Sequence, residues 1–489
     1  MSKSFEDGKD WRGNKRDDLG VISNKWNETA DVVIIGSGFA GLTAAIEAKN
    51  AGASVIILEK MKGYGGNSII SDGMVAAAGT PFQKKERVQD SADLMYKDMV
   101  TAGLGLNHPD LARTVAENSN TVIQWTIDYL GVKYKDKLHH LGGHSIPRSH
   151  ATHNYSGSAI IRPLIKKVKN LGMEVRGQMF LKKILRHKEG RVCGVLVREG
   201  YNFPDPESGI HRYIEAKKAV ILATGGFAND MSFRMTQDPR LTEEVDSTNK
   251  VSTTAEALIE ALKIGATPVH LSWIQLGPWT SPDEKGYGVG PYFADYVVFP
   301  FGIMVNQTTG WRFVNELADR KTRADAILKI GQPCIGIADD RGVEQSGYKT
   351  DHCLKKGVVK KFDQLKGLSS GYGIPFDPLK ETIEKYNRSV KENFDEEFRK
   401  PILPGAHPLT LPPYYGIRLW PKVHHTMGGI QINTRAQVMD LNQKPIKGLY
   451  AAGEVTGGIH GACRLGSCAI TDCLVFGRIA GRNAASESI

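Results

Sequence analysis

Gly36-Ser37-Gly38-Phe39-Ala40-Gly41 follows the apolar run DVVII and opens a stretch rich in small residues; Glu59 comes 23 positions after Gly36. In a G-x-G-x-x-G turn, the first glycine permits the tight bend and the second lets backbone approach a pyrophosphate. The third lets helix and strand pack closely, and the helix N-terminus supplies N–H groups and positive dipole. Glu59, at the end of the next apolar run, is placed to accept the ribose hydroxyls of an adenosine. A glycine-rich turn that binds nothing is the competing reading, and the strand before, helix after and acid beyond disfavour it. The loop Lys60 to Ser68, with Gly66 and Asn67, follows Glu59 directly and is long enough to reach the flavin end of a long dinucleotide. Ala223-Thr224-Gly225-Gly226 and Ala452-Gly453-Glu454 are two further places where small residues follow a strand and let backbone lie against a cofactor. Three such pieces in this order point to FAD rather than NAD. The predicted cofactor contacts are Gly36, Gly38, Ala40, Gly41, Glu59, Lys60, Gly66, Asn67, Ser68, Gly73, Thr224, Gly225, Gly226, Gly453 and Glu454.

Positioning these residues requires a βαβ unit of about 30 residues: a strand at DVVIIG, a helix through GSGFAGLTAAIEAKNAG and a strand at ASVIILEK. AVILATGG (219–226) and GLYAAGE (448–454) read as further strands, and the stretches near 122–131 and 257–266 as amphipathic helices. Between about 268 and 425, aromatics, prolines and turn residues are denser. The expected architecture is α/β: a Rossmann-like FAD-binding domain with an inserted α+β capping domain. Residues 1–28 form a tail, 29–267 and 426–489 the two parts of the FAD-binding domain, and 268–425 the cap.

The 489 residues carry a net charge of +10 and six cysteines. No apolar stretch approaches the ~20 residues needed to span a bilayer, and the first 28 residues lack the apolar core of a secretory signal. Sparse cysteines without Cys-x-x-Cys argue against a disulfide scaffold, a zinc ribbon or covalent haem; a cytoplasmic setting is expected. Lysine pairs such as Lys166-Lys167 and Lys360-Lys361 are spread along the chain and read as a solvated surface. No nucleic-acid-binding motif appears. His139, His140, His144, His150 and His153 lack metal-ligand spacing, so no metal is expected. Cys463, Cys468 and Cys473 read as small packing residues near the cofactor.

The runs His424-His425-Thr426-Met427-Gly428-Gly429, Ala451 to Gly458 and Arg464-Leu465-Gly466-Ser467, with Glu316-Leu317-Ala318-Asp319-Arg320, make the chain resemble a flavoprotein family. That family comprises soluble fumarate reductases, flavocytochrome c-type enzymes and succinate dehydrogenase flavoproteins, with urocanate and methacrylate reductases and ketosteroid dehydrogenases as relatives. The resemblance covers about Asp31 to Ala485. It implies that Arg320 is the proton donor and that His425 and Arg464 grip a substrate carboxylate. It also places His424, Arg464, Ser467, Ala469 and Ile470 beside the flavin. An arginine is a weak acid, with a pKa above about 12, but a carbon acquiring carbanion character is more basic still. The competing reading of Arg320 is a surface residue in a charged helix, with Asp319, Lys321 and Arg323 adjoining it.

The departures are informative. Ile69 and Ile70 stand where membrane-bound relatives attach flavin to histidine, so FAD is expected to be non-covalent. Gly277 replaces a substrate histidine, and Ala294-Asp295-Tyr296-Val297-Val298 replaces Thr-Glu-x-x-Arg, so a second carboxylate would have no partner. A buried, unpaired carboxylate costs several kcal/mol, which excludes fumarate. Gly277 leaves room, and Trp273, Trp279, Tyr292, Tyr296 and Phe299 lie nearby. The expected substrate is therefore an α,β-unsaturated acid or carbonyl compound with one polar handle and an apolar or aromatic tail. Asp295 is placed to orient or re-protonate Arg320. Thr253-Thr254-Ala255-Glu256 replaces a glycine-flanked aspartate, with no effect assignable from sequence. The alternatives are a ketosteroid-like or acyl dehydrogenase using Tyr296 as base, an amine or amino-acid oxidase, and an electron-transfer subunit with no substrate of its own. Electrons are expected from a redox protein or reduced free flavin, since no second G-x-G-x-x-G follows a strand and no haem segment precedes the flavin domain.

Overall fold

The computed structural model describes residues 26–488. The tail assigned to residues 1–28 falls largely outside them, and Glu28 already begins the first strand.

The apolar runs form the centre of an eight-stranded sheet. Glu28–Ile35 lies parallel between Val55–Leu58 and Ile210–Leu222, and Pro445–Ala451 runs parallel to Ile210–Leu222 on its other side. Val32, Val33 and Ile34 are fully buried, as expected for a strand covered on both faces. Helix Phe39–Asn50 packs against the C-terminal helix Cys468–Ala485. Glycine makes that approach possible, because a Cβ at Gly481 would stand 2.3 Å from the Ala44 carbonyl oxygen. At the far end of the same contact, Glu47 pairs with Arg478 and Arg482 at 2.5 and 2.8 Å.

The parallel register matters most for function. Ile35, Leu58, Leu222 and Ala451 end their strands side by side, through the pairings Ile35–Leu58, Ile35–Leu222 and Ala451–Leu222. Gly36, Glu59, Ala223 and Ala452, each the next residue, therefore converge on one edge. That is the crevice beyond strand carboxyl ends where open α/β sheets bind ligands.

A separate four-stranded antiparallel sheet is built from Ile303–Val305, Cys334–Asp339, Tyr414–Leu419 and Val359–Phe362. Its core includes Ile335, Ile337, Leu379 and Tyr386. A two-stranded ladder, Ile274–Gly277 with Lys422–Thr426, places Gln275 opposite His425. The helices expected near 122–131 and 257–266 are Pro109–Asp128 and Glu256–Lys263. Among the described residues, no helix is long and apolar enough to cross a membrane.

Candidate active site

Two cavities meet at the strand ends. The first is lined by Gly36, Gly38, Ala40, Glu59, Lys60, Gly66, Asn67, Ser68, Thr224, Gly225, Gly453 and Glu454, all singled out in the sequence. Met179, Phe180, Leu181, Thr253, Thr254 and Glu256 also line it, and no sequence signal marked them for this role. Gly36, at φ +106°, has no room for a side chain, because a Cβ would lie 2.2 Å from the Ala223 oxygen. Gly41 lines neither cavity. It serves the close helix–strand contact, with its Cβ position 2.0 Å from the Gly36 oxygen. Gly73 and Gly226 also line neither; they pack against Ser156 and against Glu454 and Thr426.

Glu59 is held in place before any ligand arrives. It accepts the Ser37 hydroxyl at 2.5 Å and the Ser37 and Met61 N–H groups at 3.2 and 3.0 Å. Lys60 Nζ donates to Thr254 Oγ1 at 2.5 Å and pairs with Glu256 at 3.2 Å, while Asn67 donates to Thr253 Oγ1 at 3.0 Å. The unexplained Thr253–Glu256 segment is therefore a wall of this cavity that anchors the Lys60–Ser68 loop. At Gly66 and Gly225 the backbone has positive φ and the place of a Cβ is open. Helix Phe39–Asn50 begins without an acidic residue. Bare backbone beside a helix N-terminus, with a fixed carboxylate further on, fits a dinucleotide pyrophosphate and ribose.

The second cavity shares Phe39, Asn67, Ser68, Glu454 and Cys473 with the first. It brings together Arg320, His424, His425, Arg464, Ser467, Ala469 and Ile470 with Trp279, all named from the sequence, and adds Asp72, Met74 and Tyr287. Arg320 is not a surface residue: it is 6% exposed, with its guanidinium 4.1 Å from the Trp279 ring and Nη1 donating to Gln275 Oε1 at 3.4 Å. Two local features aim it. Asp319 caps the helix Arg320–Ile330 by accepting the Thr322 N–H at 3.0 Å. Glu316 pins the preceding turn through Arg312 at 2.8 Å and Lys400 at 3.6 Å. Burial pushes the Glu316 carboxyl up, but Arg312 and Lys400 hold it down to about 2.

Arg464 is also buried. Nη1 donates to the Leu465 carbonyl at 3.1 Å, and Nε has no partner. Burial, reinforced by repulsion from Arg320, lowers its pKa to about 9. His425 Nδ1 stands 3.3 Å from Glu454 Oε1, and its Nε2 is a buried nitrogen without a partner. Burial and Arg464 depress its pKa to about 4 against the opposing pull of Glu454, so the ring is neutral at neutral pH. Gln275 Nε2 donates to the Arg464 carbonyl at 2.9 Å, which ties this cluster to the Arg320 side.

Asp295 and Tyr296 line neither cavity. Tyr296 packs among His139, Tyr155, Tyr292 and Tyr348, which removes the geometric basis for its acting as a base. Asp295 lies behind the wall, and burial raises its pKa to about 6 despite Arg323 and Arg320. Arg323, read from sequence only as a charged neighbour, is 2% exposed. It stacks on Phe299 at 4.4 Å and leaves Nε and Nη1 without partners. Its position three residues after Arg320 on one helix was the available signal. The room expected beside Gly277 is not free, because a Cβ there would already meet Trp279 at 3.3 Å. Of the five aromatics proposed for the far wall, only Trp279 lines the cavity, joined by Tyr287. The five histidines between 139 and 153 have other partners or surroundings; His150 bonds Thr80 and His144 bonds the Gly466 carbonyl.

A Rossmann-type crevice of this shape, opening onto a second cavity ringed by buried cations, defines a dinucleotide-dependent flavoprotein. The chain belongs to the FAD binding domain family, whose pattern matches residues 31–470. It is 46% identical to the acrylate reductase flavoprotein subunit of Shewanella woodyi, over 94% of this chain and 92% of that protein. It is 35% identical to the urocanate reductase of Eggerthella lenta, over 93% of this chain and 74% of that protein. The open conformation of a flavocytochrome c3 fumarate reductase superposes with a TM-score of 0.74 at 35% identity, covering 99% of this chain and 82% of that one.

Proposed function

We propose that this protein is an FAD-dependent oxidoreductase that reduces the conjugated C=C bond of an α,β-unsaturated acid bearing one carboxylate. The observation that carries this reading is the meeting of Arg320, Arg464 and the partnerless His425 Nε2 in one cavity joined to the dinucleotide crevice. Similarity to an acrylate and a urocanate reductase supports it. Reduced FAD, when bound, supplies hydride chemistry to the substrate's β-carbon. Arg464 and His425 hold the substrate carboxylate and stabilise the enolate-like charge that develops on it. His425 is neutral in the free site, so an anion at Nε2 favours proton uptake onto the ring. Arg320 delivers a proton from its guanidinium to the α-carbon. The tail lies against Trp279, Tyr287 and Met74, none of which offers a cation to pair a second carboxylate.

Asp295, with Arg323 behind it, restores the Arg320 proton. Arg323 thereby takes the place of the arginine missing at Val298. The Asp295 carboxyl keeps its proton below about pH 6 and loses it above. Turnover that depends on this proton falls as pH rises through that value. Asp295→Asn is expected to lower kcat by ~10²-fold, a typical share for one proton-transfer group, and to abolish that pH limb. An unchanged limb in the variant would assign it to another group.

Residues 268–425 act as a cap over the two parts of the FAD-binding unit, and FAD is held without a covalent bond, as isoleucines at 69 and 70 support. Electrons come from a redox protein or free reduced flavin. A reducing, cytoplasmic compartment is supported by six cysteines that all remain free thiols. The reading is tested by mixing anaerobic, dithionite-reduced protein with acrylate, crotonate, cinnamate, urocanate and fumarate. Return of oxidised-flavin absorbance with saturated product is expected for at least one monocarboxylic enoate. Failure of every compound to re-oxidise the flavin overturns the reading.

A further inference from the structure

Asp72 is a carboxylate on the wall of the second cavity to which the reaction assigns no task. It follows the loop that carries Asn67 and Ser68. Its Oδ1 accepts the Met74 N–H at 3.0 Å, and Oδ2 has no hydrogen-bond partner among the described residues. Burial raises its pKa against the Met74 bond and the pull of Arg320 and Arg464, and among the described residues it forms an ion pair with neither arginine. Tyr287, whose hydroxyl feels the Asp72 charge, lines the same cavity. A turn-setting aspartate needs only the Met74 bond; it does not need a free oxygen facing a cavity.

We propose that Asp72 is a specificity residue whose negative charge limits the site to substrates with a single carboxylate. This inference rests on the proposed enoate-reducing site and deepens it. The argument is one of charge balance in a desolvated space. Two guanidiniums, Arg320 and Arg464, face the cavity, while Glu454 is engaged by His425 and the Thr426 N–H at 2.9 Å. Asp72 and one substrate carboxylate match the two guanidiniums. A dicarboxylate would place a third carboxylate against two cations, so that one carboxylate must stay unpaired or take up a proton. Like-charge juxtaposition of this kind disfavours binding. The filter therefore acts through repulsion, and it leaves uncharged tails unaffected.

The test uses the FAD-loaded, oxidised protein and two unreactive ligands of equal chain length, butyrate and succinate, titrated by perturbation of the flavin absorbance. Asp72→Asn removes the charge but keeps an oxygen for the Met74 N–H. Asp72→Ser does the same with a shorter side chain, in case the amide disturbs the loop. Either variant is expected to lower the ratio Kd(succinate)/Kd(butyrate) by at least about tenfold, with butyrate affinity within about threefold of the parent. The kcat/KM preference for crotonate over fumarate should fall in parallel. A ratio within about twofold of the parent in both variants, or equal changes for both ligands, overturns the proposal. If the ratio shifts while no enoate re-oxidises the reduced protein, the charge filter stands and the reductase reading falls. If enoates react and the ratio does not move, the reverse holds.

Discussion

Arg320→Ala is expected to leave FAD bound and to reduce alkene reduction by ~10³–10⁴-fold, about 4–5 kcal/mol of transition-state stabilisation. FAD binding should survive because Arg320 lines only the second cavity. The fold should survive because the guanidinium forms one long hydrogen bond and one stack, on Trp279, and so contributes about a kcal/mol. Arg320→Lys keeps the charge but not the planar stack or the fixed fork, and should recover only part of the loss. Product formation and the flavin spectrum, measured on the same samples, separate chemistry from cofactor loss. Retention of more than about a tenth of the activity by the alanine variant, a deficit below ~1.4 kcal/mol, would assign the proton to another group.

Arg464→Met is expected to lower kcat/KM by ~10³-fold while leaving the melting temperature unchanged or raised. The loss follows from removing the donors that meet the substrate carboxylate, since one such donor is worth ~10²–10³ in rate and ground-state binding suffers as well. The stability effect has the opposite sign. Burial and the neighbouring Arg320 lower the Arg464 pKa to about 9, so the folded protein holds this charge less willingly than the unfolded chain does. An apolar side chain in place of a buried cation that lacks a paired acid relieves the desolvation cost of that charge. A raised KM, a reduced kcat and an undiminished melting temperature together would separate a substrate-gripping residue from a structural one. A large fall in melting temperature would instead give Arg464 a structural role.

How much of the site was legible in the sequence depended on the range of the interaction involved. The dinucleotide crevice was visible almost residue by residue, because each piece is local. A buried strand, a glycine that must adopt φ +106°, and a small residue after a strand are all written within a few positions. The sheet then brings these pieces together by ordinary parallel register. Arg320, His425 and Arg464 came from short motifs, and their convergence in one cavity was legible only as a resemblance. Asp72, Arg323 and Tyr296 escaped correct placement for a different reason. Whether a charged or aromatic side chain faces a cavity, fills it or lies behind its wall is decided by packing contacts that no local pattern records, whatever the separation along the chain. Arg323 looks like a surface residue until its helix is packed beneath the Phe299 ring. Gly277 looks like open space until Trp279 folds over it. The sequence by itself determined the fold class, the cofactor crevice and the chemistry its motifs imply. Only the tertiary structure decided the shape and charge of the substrate cavity, because both are sums over side chains that meet solely when separate segments pack and desolvate them together.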